Sequence, residues 1–109
     1  MTADKEVEAM RDQWRLLIAQ QFPQSLPDDR REELVEYIMY GEKPHAFVQR
    51  LIELDIVGAL LRTRDKADFD AIPYYILFWW RTAPDECSGP YSVKHKWLGL
   101  RYYAERQVK

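Results

Sequence analysis

The sequence predicts an all-α fold: a single compact domain over residues 1–109, with five to six helices packed around an aromatic central helix. Three observations carry that expectation. Apolar residues recur at spacings of three and four, the period of one helix face. Prolines and glycines cut the chain into helix-sized pieces. The run Tyr74-Tyr75-Ile76-Leu77-Phe78-Trp79-Trp80 holds seven apolar or aromatic residues, too much aromatic area to leave in water. A chain of this length buries roughly two thirds of the surface its unfolded form exposes, so neither metal nor disulfide is needed for folding.

The first helix places Val7, Met10, Trp14, Leu17, Ile18 and Phe22 on one face, carries Asp4, Glu6 and Glu8 near its N-terminus, and ends at Pro23. The second is expected to be capped by Ser25, with Pro27 in its first turn. Its buried stripe is Leu34, Val35, Ile38 and Met39, and Gly41 ends it in the left-handed conformation. Pro44 starts a third helix whose Phe47, Val48, Leu51, Ile52 and Leu54 turn inward. Asp55 caps a short fourth helix with Ile56, Val57, Leu60 and Leu61, and Gly58 within it predicts a close helix–helix approach.

The aromatic run defines the fifth helix, nearly surrounded by the others, with Phe69, Ile72, Ile76, Trp79, Trp80 and Ala83 on its stripe. If Asp70 caps it, Pro73 falls in the first turn; otherwise Pro73 kinks it. A last helix begins near Ser88, Gly89 and Pro90 and carries Val93, Trp97, Leu100 and Ala104. The competing reading pairs residues 74–80 with the alternating segment 91–97 as a hairpin, but a lone hairpin is marginal in water and the helical period accounts for more residues.

The net charge of −2 is unevenly spread: residues 1–55 carry twelve acids and seven bases, whereas residues 91–109 carry one acid and five bases. Cys87 is the single cysteine, which excludes an internal disulfide and fits a reducing compartment. The charged N-terminal residues do not resemble a signal peptide, and seven apolar residues are far short of the ~20 that span a bilayer. The expectation is a cytoplasmic protein with no membrane contact.

Tyr37-Ile38 with Gly41, Pro44 and Phe47, then Leu54-Asp55-Ile56-Val57-Gly58-Ala59 and Arg62, form a pattern, continued by Ala83-Pro84, Cys87, Gly89, Val93 and Trp97. Over roughly residues 26–98 it resembles a family of small uncharacterised helical proteins of bacteria, plasmids and phages. The resemblance implies a helical protein carried by a mobile element and supplies no activity. Ser88 stands where that family usually has tryptophan, and the stretch between Ala59 and Phe69 is more basic than usual.

Few residues invite chemistry. His45, Cys87 and His95 have no paired metal-ligand spacing, so no metal or cofactor is expected. Asp85 and Glu86 oppose thiolate formation at Cys87, and the isolated glycines form no phosphate loop. Asp28, Asp29, Glu32, Glu33 and Glu36, with Arg30 and Arg31 between them, read as a solvated helix face. No enzyme is expected. The candidate partner-binding residues are Lys94, Lys96, Arg101, Tyr102, Tyr103 and Arg106, bases interleaved with aromatics near the C-terminus. The expected partner is a protein, since Tyr, Trp and Arg dominate interface energetics. Nucleic acid is the second reading, opposed by a pI near 5.7.

Overall fold

The computed structural model describes residues 2–89 and 96–102. Five α-helices fill most of that span: α1 (Thr2–Gln21), α2 (Asp28–Tyr40), α3 (Ala46–Ile52), α4 (Ile56–Leu60) and α5 (Lys66–Arg81), followed by a 3₁₀ turn at Asp85–Cys87. No strand occurs among the described residues, so the aromatic run is helix and not half of a hairpin. The radius of gyration, 14.0 Å, is close to the ~13 Å of a compact chain of about 100 residues.

Aromatic rings from three helices converge on α5. Phe22 lies 4.9 Å from Tyr75 and 5.5 Å from Phe78 between ring centroids. Phe47 meets Tyr75 edge-on at 5.9 Å, Tyr37 meets Trp79 at 6.2 Å and Trp14 meets Phe78 at 6.2 Å. Such pairs add about 0.5–1.5 kcal/mol each beyond the area they bury. Ile18, Leu34, Val35, Ile38, Met39, Val48, Leu51 and Ile52 complete the core, as their spacing predicts.

The inward face of α5 is Asp68, Ala71, Ile72, Tyr75, Phe78 and Trp79. Phe69 and Trp80, expected inside, are exposed, Trp80 by 73%. The helix is therefore half covered rather than surrounded. Its cap is Asp65, whose side chain accepts from Asp68 N at 3.1 Å, and not Asp70. Pro73 consequently lies inside the helix, on its exposed side.

A buried ion pair sets this rotation. Arg30 of α2 donates to both Asp68 oxygens, Nε to Oδ1 at 3.1 Å and Nη2 to Oδ2 at 3.0 Å. Asp68 Oδ2 also accepts from Arg64 N at 2.8 Å. The Asp68 side chain is 0% exposed. Arg30 packs 5.7 Å from the Phe47 ring centroid and reaches His45 Nδ1 with Nη1. His45 N in turn donates to Glu33 Oε2 at 3.2 Å. The expected solvated face of α2 is thus broken at Arg30, because Asp68 supplies the fork-shaped acceptor that a guanidinium needs when it leaves water.

Other local expectations change as well. Pro27, not Ser25, occupies the N-cap position of α2, and its carbonyl accepts from Arg30 N at 3.1 Å; Asp28 and Asp29 complement the helix dipole instead of a side-chain cap. Leu54 does not turn inward. It adopts φ 61° at the end of α3, where Asp55 N bonds to Arg50 O at 2.8 Å, and its side chain is half exposed. Asp55 does cap α4, accepting from Gly58 N at 2.9 Å. Gly58 serves that cap rather than a helix crossing, since a Cβ there would lie 2.2 Å from Asp55 Oδ2. Val57 and Leu60 of α4 and Leu61 just after it face outward.

Asp68→Ala leaves a buried guanidinium without its counter-charge and is expected to cost about 3–5 kcal/mol of stability in denaturant unfolding. The double change Arg30→Met with Asp68→Leu is expected to cost much less, since no charge is then buried alone. Equal losses in both variants would show that packing, and not the lone charge, dominates there.

Candidate functional site

The C-terminal end of α2 and residues 96–102 form the strongest candidate surface. Their meeting depends on two glycines. Gly41 ends α2 at φ 70°, and a Cβ on it would lie 2.7 Å from Leu98 C. Gly99 has φ 94°, and a Cβ there would lie 2.5 Å from Met39 O. Only residues without Cβ let the two backbones approach this closely. The same contact interrupts the expected continuous last helix: residues 96–99 are not helical and residues 100–102 are, while its expected parts at residues 90–95 and 103–104 lie outside the described residues.

Trp97 anchors the segment. It is buried, and its Nε1 donates to Tyr37 O at 2.9 Å. The Tyr37 hydroxyl in turn donates to Cys87 O, tying the 3₁₀ turn to the same place. Burial, with a smaller contribution from Cys87, pushes the Tyr37 phenol well above its ordinary value. Burial does the same to Tyr75, whose hydroxyl finds no hydrogen-bond partner among the described residues.

A groove of about 500 Å³ opens beside Trp97, with Tyr40, Glu42, Lys43, Gln49 and Lys96 around it. A second groove of about 340 Å³ shares Tyr40 and Glu42 and is lined further by Leu98, Arg101 and Tyr102. The Arg101 guanidinium sits 5.8 Å from the Tyr40 ring centroid, within cation–π range. The bases Lys43, Lys96 and Arg101 outnumber Glu42 along the two grooves, so this edge is positive on a protein of net charge −2.

Of the candidate residues, Lys96, Arg101 and Tyr102 line this surface, whereas Lys94, Tyr103 and Arg106 lie outside the described residues. Tyr40, Lys43 and Gln49 were not anticipated. The available signal was the pair Gly41 and Gly99, each flanked by aromatic and basic residues, but nothing local says that they touch. His45 is engaged by Arg30 and Glu33, and Cys87 is buried in the 3₁₀ turn. His95 lies outside the described residues. Among the described residues no group of three His, Cys, Asp or Glu is placed to hold a metal ion. Nor is any helix among them long and apolar enough to cross a membrane.

No family model matches the chain, and neither a curated protein nor a solved structure matches it.

The two buried phenols give an alkaline signature. With folded values raised above the ordinary 10.0, the native chain keeps protons that the unfolded chain releases. That stability is complete below about pH 10 and falls as pH rises further. Tyrosinate absorbance is expected to gain its last increments only as helical circular dichroism disappears, and Tyr75→Phe is expected to shrink that late step. A late step unchanged in Tyr75→Phe would contradict the burial of this phenol.

Proposed function

We propose that the chain is a non-enzymatic protein-interaction module that receives a partner segment along the Tyr40–Lys43–Lys96–Arg101–Tyr102 surface. One observation carries the reading: basic and aromatic side chains from two distant segments line a pair of adjoining grooves that share Tyr40 and Glu42. Tyrosine and arginine are the side chains that most often supply binding energy at protein interfaces. An acidic, aromatic or glutamine-rich segment would meet complementary charge, a ring face and the Gln49 amide in one groove. The resemblance described above further suggests a mobile element as the setting, a host or defence component as the target, and the cytoplasm as the place of action.

The Arg101–Tyr40 contact also suits a second reading, in which a nucleic acid stacks and pairs its phosphates along this edge. Glu42 stands in both grooves and opposes a phosphate backbone there, which favours the protein partner.

The test compares wild type with Lys96→Glu plus Arg101→Glu as immobilised bait in host lysate, with circular dichroism confirming that both are folded. The expected result is a stoichiometric protein retained by wild type and lost by the variant. Recovery of no such protein, or equal recovery by both baits, overturns the proposal. A salt-sensitive gel shift with RNA or DNA that the variant loses would establish the second reading instead.

A further inference from the structure

The outward face of α5 is apolar at its centre and oppositely charged at its ends. Along it run Asp70, Tyr74, Leu77 and Arg81, at spacings of four, three and four, with Pro73 and Trp80 beside them. All six are exposed. This order is self-complementary. A two-fold axis between residues 75 and 76, with a second α5 antiparallel, sets Asp70 against Arg81 of the second copy at both ends and Tyr74 against Leu77 in the middle. Pro73 and Trp80 then flank the seam.

A shallow groove of about 370 Å³ adjoins the stripe, lined by Gln21, Tyr74, Leu77, Arg81 and Thr82. The Thr82 hydroxyl donates to Gln21 Oε1 at 2.8 Å, which fixes the end of α1 against the end of α5 there. The groove offers a seat for one apolar side chain from a facing helix. Among the described residues, the charges at the stripe's ends make exposed contacts: Lys66 Nζ lies 3.6 Å from Asp70 Oδ2, and Arg81 lies 5.3 Å from the Trp80 ring centroid. Exposed contacts of that kind contribute little to stability, so exchanging them for intermolecular ones has little cost.

We infer that α5 is a homodimerisation helix, whose exposed face packs antiparallel against α5 of a second copy of this chain. Charge complementarity selects that occupant: the same face presents acid and base at equal distances from one point, as an isologous contact requires. A seam of two helices is at the small end of specific interfaces, so the dimer is expected to be reversible on dilution. This inference is independent of the groove surface proposed above, to which α5 contributes no residue.

Sedimentation velocity and light scattering on the full chain, from about 1 to 100 µM, test it. Wild type is expected to move from monomer to dimer across that range. Leu77→Asp is expected to remain monomeric. Each single reversal, Asp70→Arg or Arg81→Asp, is expected to weaken association about ten-fold or more, and the two together to restore it. These positions are exposed, and circular dichroism checks that each variant is folded. A wild type monomeric throughout, whether because another partner covers the face or nothing does, overturns the inference. So does a dimer that Leu77→Asp leaves intact, or a double reversal no tighter than the singles. Lys96→Glu with Arg101→Glu is expected to leave the dimer unchanged, so failure of the groove reading and failure of this one are separable.

Discussion

Burying Arg30 against Asp68 strips both groups of hydration, and the arrangement persists because every lost water contact has a replacement. Two guanidinium nitrogens meet two carboxylate oxygens, the Arg64 amide adds a third donor, and the Phe47 ring lies near the guanidinium. Such a pair adds little net stability over a well-packed apolar one, yet it is intolerant of rearrangement. Its main consequence is geometric. With Asp68 fixed inward, helical periodicity turns Tyr75, Phe78 and Trp79 into the core and leaves Asp70, Tyr74, Leu77 and Arg81 outside. The outward apolar face of α5 is thus set by a charge pair on its opposite side.

That dependence explains which parts of the molecule could be read from residues alone. Helices with distinct polar and apolar faces were legible: Ile18 of α1 and Phe22 just after it, Leu34, Val35, Ile38 and Met39 of α2, and Phe47, Val48, Leu51 and Ile52 of α3 are buried as their spacing implies. The left-handed Gly41 and the Asp55 cap were also legible, because both are local chemistry. The phase of α5 was not. Seven consecutive apolar residues give no angular preference, and Phe69 or Trp80 is as good a core residue by type as Phe78. The deciding residue is Asp68, which no local pattern marks as buried and whose partner, Arg30, lies thirty-eight positions earlier.

The candidate surface was half legible for a related reason. Composition marked Lys96, Arg101 and Tyr102, since bases among aromatics stand out in any chain. Their neighbours Tyr40 and Lys43 emerge only through the Gly41–Gly99 contact, which joins segments that no short-range rule connects. Trp97 then determines how that contact is used. Its indole bonds to the Tyr37 carbonyl, and Tyr37 also holds Cys87 and packs on Trp79, so one tyrosine couples the groove, the 3₁₀ turn and the central helix.

Large apolar side chains remain outside on two separate elements, and the causes differ. On α5 they follow from the inward demand of Asp68. On α4 they follow from brevity, since a five-residue helix buries only Gly58 and Ala59 against its neighbours and leaves Val57, and Leu61 at its C-cap, in solvent, Leu61 by 78%. Leu54 adds a further exposed leucine between α3 and α4, on a left-handed backbone where glycine is the unstrained choice. A small domain keeps such residues exposed at some risk of nonspecific association, a risk that falls when the apolar area is framed by charge. The α5 face has that frame in Asp70 and Arg81, arranged symmetrically about its centre. The α4 face lacks a matching arrangement, with Arg62 bonded back to the Gly58 carbonyl and Arg64 near Asp29 and Asp65. Framing by complementary charge is what separates a surface built for one mating geometry from one that is merely uncovered, and here it singles out α5.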